Sequence, residues 1–258
     1  MREYTKALLF HEKAIEILQK SLPSNHPNLA TLYNNIGMVY HQMGEDSKAL
    51  LFHEKALKIR HETLHSNHPD LATSYNNIGL VYHQMAEYSK ALSFYEKAYE
   101  IFSITLPSNH PSLASLYSNI GTVYDNIGEY SKALSFYEKA HEIFLVTIPS
   151  NHPNLANLYK NIGTVYRKME EYSKALSFYE KYLEICQETL PSNHLSLATS
   201  YNNIGNVYYN MRDYSKALSY LEHALDIFQR ILPPTHSSIK DVKKGIEIVK
   251  EETNKNIQ

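Results

Sequence analysis

Fourteen histidines and one cysteine are the side chains of this 258-residue chain best suited to bind a metal or act as base or nucleophile. Six of the histidines, His26, His68, His110, His152, His194 and His236, recur every 42 residues. A metal ladder is the chemical reading of such a series, and distance rules it out. Equivalent positions on neighbouring packed helices lie roughly 8–10 Å apart, whereas a zinc–nitrogen bond is about 2 Å. Four of the six stand directly before a proline, which points to residues that start helices. His41 and His83 share the interval and are expected to line a surface. Cys186 falls in an apolar-periodic segment and reads as a half-buried small residue rather than a reactive thiol. No HExxH, CxxC or glycine-rich phosphate loop occurs. No catalytic residue, metal or cofactor is expected, and the chain is read as not an enzyme.

Two polar series remain. An asparagine stands two residues before each recurring glycine: Asn35, Asn77, Asn119, Asn161 and Asn203. It lies off the apolar face, where a merely solvated residue is free to drift. An amide carries donors and an acceptor. A column of them can bond an extended backbone without fixing its sequence, or can tie adjacent helices together; both roles can coexist. The second series is a basic cluster, Lys160, Arg167 and Lys168, at helical spacing on one face.

These residues are positioned by a repeat. Tyr33-Asn34-Asn35-Ile36-Gly37-Met38-Val39-Tyr40 returns around Gly79, Gly121, Gly163 and Gly205 with no insertion. A fixed period of this size marks an array in which each unit contacts only its neighbours. All ten prolines lie at unit junctions, so the segments between them are free to be helices. Leu29, Leu32, Tyr33, Ile36, Val39, Tyr40 and Met43 give a first helix after Pro27, which suits the first helical position. Gly44-Glu45-Asp46 is a turn, and a second helix follows from near Ser47. First helices are expected from near 28, 70, 112, 154 and 196, and second helices from near 47, 89, 131, 173 and 215. The organisation is then an orphan second helix (1–25), five repeats (26–67, 68–109, 110–151, 152–193 and 194–235) and a capping helix with tail (236–258). In that last segment Lys243, Glu247 and Lys250 replace the repeat's Tyr, Gly and Tyr while Ile239, Val242, Ile246 and Val249 stay apolar, as a terminal cap requires. At the other end, Met1-Arg2-Glu3-Tyr4 aligns with Met211-Arg212-Asp213-Tyr214 inside a unit, so the chain is expected to be part of a longer array. Tyr182 stands where the other copies have alanine, and a local change in stacking is expected between the fourth and fifth pairs.

Basic and acidic residues nearly balance, 25 against 27, so no whole-molecule field draws in nucleic acid or anionic lipid. Twenty-two tyrosines are unaccompanied by a basic stripe, which argues against a stacking platform for bases. No run of apolar residues is long enough to span a bilayer. A lone cysteine makes no internal disulfide. The expectation is a soluble, cytoplasmic protein with neither nucleic-acid nor membrane partners.

Period alone leaves armadillo, HEAT and tetratricopeptide units open. The residues Tyr117, Ile120, Gly121, Tyr124, Tyr130, Ala133, Tyr137 and Ala140 resemble the tetratricopeptide pattern, with tyrosine for its leading tryptophan. The 42-residue length and the junction Leu-Pro-Ser-Asn-His-Pro resemble the kinesin light chain type. That resemblance implies an all-α fold, an α-solenoid or right-handed superhelix of antiparallel helix pairs. It also implies a concave groove lined by the first helices, where the asparagine column would meet a peptide. Variable groove positions would then select the partner. Asn34, Met38 and Asn76, Leu80, His83 occupy them in the first two pairs; Lys160, Arg167 and Lys168 in the fourth; Asn202 and Asn206 in the fifth. The expected partner is a protein or peptide segment with an acidic group opposite the fourth pair and an apolar side chain near Met38 and Leu80. A carboxylate clamp of the chaperone-tail type is not expected: Lys160 and Asn203 fit its pattern, but Thr164, Asp241 and Gly245 do not. The reading is a non-enzymatic interaction scaffold. The alternatives are the repeat region of a larger enzyme or signalling protein, and a motor-cargo adaptor.

Overall fold

The computed structural model describes residues 2–255, which form twelve α-helices. They are α1 Arg2–Ser21, α2 Pro27–Gln42, α3 Asp46–Thr63, α4 Pro69–Gln84, α5 Tyr88–Thr105, α6 Pro111–Ile127, α7 Tyr130–Thr147, α8 Pro153–Lys168, α9 Tyr172–Thr189, α10 Leu195–Asn210, α11 Tyr214–Ile231 and α12 Ser237–Lys255. Observed helix starts fall within one residue of those expected from the pattern. The chain divides into two compact units, Met1–Ile143 and Phe144–Gln258.

The recurring histidines explain why the first helices start where they do. His26, His68, His110, His152, His194 and His236 each accept, through ring Nδ1, the backbone N–H two residues on, at 3.1–3.2 Å. Each imidazole thus does the work of an N-cap aspartate or asparagine, satisfying one of the orphan donors of the first turn. Proline follows at the first helical position in α2, α4, α6 and α8. First helices end at a residue with positive φ: Gly44 (75°), Ala86 (59°), Gly128 (91°), Glu170 (61°) and Arg212 (62°). Three of these five carry a side chain where glycine is favoured.

Helix pairs close on the glycine. A Cβ on Gly37 would fall 2.7 Å from the ring of His53. Gly79, Gly121 and Gly163 face the rings of Tyr95, Tyr137 and Tyr179 as closely, and Gly205 faces Leu221. Only hydrogen fits there, so the bulky partner can lie flat against the first helix. Beside it, one ring of the second helix packs between two tyrosines. Phe52 lies 6.0 and 5.5 Å from Tyr33 and Tyr40, and Phe178 lies 5.9 and 5.7 Å from Tyr159 and Tyr166.

The core departs from the pattern at two junctions. In the N-terminal unit buried Arg60 stands where Phe102 stands one repeat later; it donates to Ser74 Oγ (2.7 Å) and Asp70 O (3.0 Å). Leu116 holds the place of Ser74 in the next repeat. In the C-terminal unit Tyr182 is accommodated in a similar way. It is 5% exposed, and burial pushes the pKa of its phenol up. Cys186 and Ser200 stand where Phe144 and Leu158 stand 42 residues earlier, so smaller side chains make room for the extra ring.

Candidate peptide-binding face

The asparagine column does internal work in the N-terminal unit. Asn77 Nδ2 donates to Asn34 Oδ1 (2.8 Å), and Asn119 Nδ2 donates to Asn76 Oδ1 (3.0 Å). Each bond joins consecutive first helices across 43 residues of chain. Asn77 is 8% exposed and Asn119 half-buried, whereas Asn35 is exposed. The acceptors Asn34 and Asn76, which the sequence reads as variable selectors, use their oxygens to tie the neighbouring repeat. Asn34 Oδ1 also accepts from His53 Nδ1 at 3.2 Å. Among the described residues the NH2 groups of Asn34 and Asn76 have no internal acceptor, and both residues are half-exposed.

In the C-terminal unit that arrangement stops. The residue in the place of Asn34 is Lys160, which cannot accept a hydrogen bond. Asn203 makes no side-chain hydrogen bond among the described residues, nor do Asn161, Asn202 and Asn206; all four are half-buried. Lys160 itself is half-buried, and burial draws its ammonium below the ordinary lysine range, opposed by Cys186. It makes no ion pair among the described residues. Arg167 is half-buried and Lys168 exposed in the last turn of α8. A cation held partly out of water and lacking an anion is primed to gain from one.

Met38 and Leu80 are half-buried. They occupy the place of Thr122 and Thr164, whose hydroxyls take the phenol of Tyr137 (3.1 Å) and Tyr179 (3.0 Å). The hydroxyl of Tyr95, the counterpart of Tyr137 and Tyr179, is buried with no hydrogen-bond partner among the described residues. His83 Nε2 meets Asn126 Nδ2 at 2.7 Å, and burial, then His41, lowers its pKa. Among the described residues no three of His, Cys, Asp and Glu are grouped to hold a metal, and no helix is long and apolar enough to cross a membrane. A separate cleft of about 610 Å³ opens over Tyr117, Tyr124 and Phe136. Lys139 already covers the aromatic face there, 5.6 Å from Tyr117 and 5.1 Å from Phe136.

Residues that pattern reading passed over are His53, Arg60 with Ser74, and the Thr–Tyr pairs. Their signal is a pair of departures at a fixed offset: 14 residues for Arg60/Ser74 and Cys186/Ser200, 15 for Thr122/Tyr137 and Thr164/Tyr179.

A family model described as tetratricopeptide repeat matches residues 1–62, 52–104, 70–145, 112–188 and 154–230. No curated protein matches the chain significantly. Solved structures do. BtubC (BKLC) from P. vanneervenii superposes with a TM-score of 0.73 at 22% identity, covering 92% of this chain and 95% of its own. A Podosopora anserina protein of nearly identical TPR-like repeats, assigned to the kinesin light chains, gives 0.65 at 23% identity over 81% and 99%. YrrB, a TPR protein with an unusual peptide-binding site, gives 0.51 at 24% identity over 91% and 97%. At these identities the likeness is one of fold.

Proposed function

The chain belongs to the tetratricopeptide repeat family, and from that premise we propose that it is a non-enzymatic scaffold receiving an extended partner segment on its first-helix face. The observation that carries the reading is the set of polar groups on that face with no internal partner. In the N-terminal unit these are the NH2 groups of Asn34 and Asn76, one repeat apart. They suit the carbonyls of an extended chain, with Met38 and Leu80 beside them for an apolar side chain. In the C-terminal unit they are Asn161, Asn202, Asn203 and Asn206 with the Lys160 ammonium. There Lys160, Arg167 and Lys168 suit an acidic side chain, and Asn203 a backbone group. The role of YrrB as a peptide-binding TPR protein supports the same class of function by analogy only.

Fluorescence polarisation against a library of extended peptides with and without Asp or Glu tests the reading. Acidic peptides are expected to bind more tightly, with an affinity that falls as salt rises. Lys160→Glu with Arg167→Glu is expected to weaken them at least tenfold and to flatten the salt dependence. Asn161→Ala with Asn203→Ala removes amides that hold nothing internally, so lost binding there is not lost folding. Unchanged affinity in both double variants refutes the proposed face.

A further inference from the structure

Among the described residues four buried side-chain nitrogen or oxygen atoms have no hydrogen-bond partner: His41 Nδ1, Asp46 Oδ1, His53 Nε2 and Tyr95 Oη. Three of the four belong to one helix pair, α2 and α3. A buried polar atom left bare is costly. Three in one pair point to a group that the chain itself does not supply.

The surroundings of His53 fix which ring nitrogen is bare. Asn34 Oδ1 takes the amide hydrogen of Asn77 at 2.8 Å, so it is the accepting end of that side chain. His53 Nδ1, 3.2 Å from the same oxygen, must then be the donor. The proton sits on Nδ1, and Nε2 carries a free lone pair on a side chain that is 0% exposed. An imidazole that gives one N–H to an oxygen and keeps its other nitrogen bare has the tautomer and fixed orientation of a metal ligand.

Two further donors stand around that lone pair. A Cβ on Gly37 would lie 2.8 Å from His53 Nε2, which puts the nitrogen against this turn of α2. His41 follows Gly37 by four residues, one turn along the same face, where side chains start roughly 5–6 Å apart. Its charge is close enough to lower the pKa of His53. Met38 comes directly after the glycine. Its counterparts Thr122 and Thr164 hydrogen-bond with the phenols of Tyr137 and Tyr179 at 3.1 and 3.0 Å, so this position meets the far end of the ring that faces the glycine. In the first pair the ring is shorter and the side chain after the glycine longer, which brings a thioether to the same meeting point. No other copy has all three donors: the second carries Leu80, His83 and Tyr95 at these positions.

The donor set selects the ion. His41, His53 and a carboxylate are not grouped to hold a metal between them, so a zinc-type site is not available. Two imidazoles and a thioether suit a soft ion that accepts few ligands, which is Cu(I). Asp46 contributes a negative charge that acts on His41 without being a ligand.

We propose that Met38, His41 and His53 form a Cu(I) site between α2 and α3, with Sδ, Nδ1 and Nε2 as donors and Asn34 holding the His53 ring in place. Met38 and Asn34 also belong to the first-helix face, but the site needs no peptide and is tested without one. The chain is mixed, under nitrogen and with ascorbate, with Cu(I) held by the chromophoric chelator bicinchoninate, and loss of the complex's colour reports transfer. One Cu(I) per chain is expected, and an equal concentration of Zn2+ is expected not to displace it. Each donor can be replaced by a residue that another copy carries at the same place, which preserves the fold: Met38→Leu, His41→Tyr and His53→Tyr. Each is expected to weaken Cu(I) binding by roughly tenfold or more, with unchanged circular dichroism, while His83→Asp leaves it as it was. X-ray absorption at the copper edge should show one sulfur scatterer that Met38→Leu removes. No transfer of Cu(I) overturns the proposal. So does binding indifferent to any of the three variants, which would leave an adventitious ion only, or a sulfur signal that survives Met38→Leu.

Discussion

Replacing Tyr95 by Phe is expected to stabilise the protein, while the same change at Tyr137 destabilises it. The two rings are equivalent: both are fully buried, and both lie against the glycine of their first helix. They differ at one atom. Tyr137 Oη donates to Thr122 Oγ1, which itself donates to Ser118 O, so the chain of bonds is complete. Leu80 takes the place of Thr122 in this repeat and offers no acceptor, and Tyr95 Oη is left without a partner. A buried hydroxyl that forfeits its water without a replacement costs about 1–3 kcal/mol, whereas a made bond contributes about 0.5–1.5 kcal/mol. Tyr95→Phe removes the first term, less a few tenths for the small void, and should gain about 1 kcal/mol. Tyr137→Phe should lose about 1 kcal/mol, so the two variants should differ by about 2 kcal/mol. Urea unfolding at a slope of about 3 kcal/mol/M would separate their midpoints by roughly 0.7 M. Because repeat arrays can unfold in stages, amide exchange in α4 and α5 supplies the local measure. Leu80→Thr should recover the stabilisation with Tyr95 kept, by supplying the acceptor that Thr122 supplies to Tyr137. Equal destabilisation by both Tyr→Phe changes would refute the reasoning, since it would mean that the Tyr95 hydroxyl is satisfied in solution.

Other consequences are as direct. Burial, then the charges of His41 and Arg60, holds the pKa of His53 down at about 4 against 6.5 unfolded. Below pH 6.5 the unfolded chain then binds the proton and the folded one does not, so stability falls with pH until about 4, by about 3 kcal/mol in all. His53→Phe should remove that part of the slope, measured as the difference between wild-type and variant unfolding at pH 7 and pH 4.5; identical slopes would count against it. Ser74→Leu alone should cost about 3 kcal/mol by stranding the Arg60 guanidinium, while Arg60→Phe with Ser74→Leu should be neutral or stabilising. A thermodynamic cycle without coupling between the two sites would contradict that. Glu170→Gly relieves a side chain at φ 61° and should raise the free energy of unfolding by a few tenths to about 1 kcal/mol, read from denaturant curves.

The period and the helix starts are legible in the sequence because each depends on local spacing. That a glycine 16 residues before a large ring marks a pair packed without room for a Cβ is a finding of the structure. Contacts between repeats were less legible. Asn77 bonds to Asn34, the residue before its own counterpart Asn35, an offset that a comparison of equivalent positions does not bring together. Arg60 and Ser74 are each unremarked alone and intelligible only as a joint departure from Phe102 and Leu116. Tyr182 alone points to a local change in stacking; read with the smaller Cys186 and Ser200 it is a ring with room made for it.

These cases change what recurrence means in an array. A residue returns in every copy when every copy has the same neighbour, and Asn77 and Asn119 return because each ties its helix to the one before. Recurrence therefore speaks first for packing. Binding is carried better by polar groups that packing has left over. In the N-terminal unit that selects the NH2 of Asn34 and Asn76, the other ends of the same bonds. In the C-terminal unit the tie cannot form, because Lys160 has no lone pair to offer Asn203. The break leaves the Asn203 amide without a side-chain partner among the described residues and Lys160 half-buried without an ion pair, which is why the proposed reading looks to that copy for a partner's carboxylate.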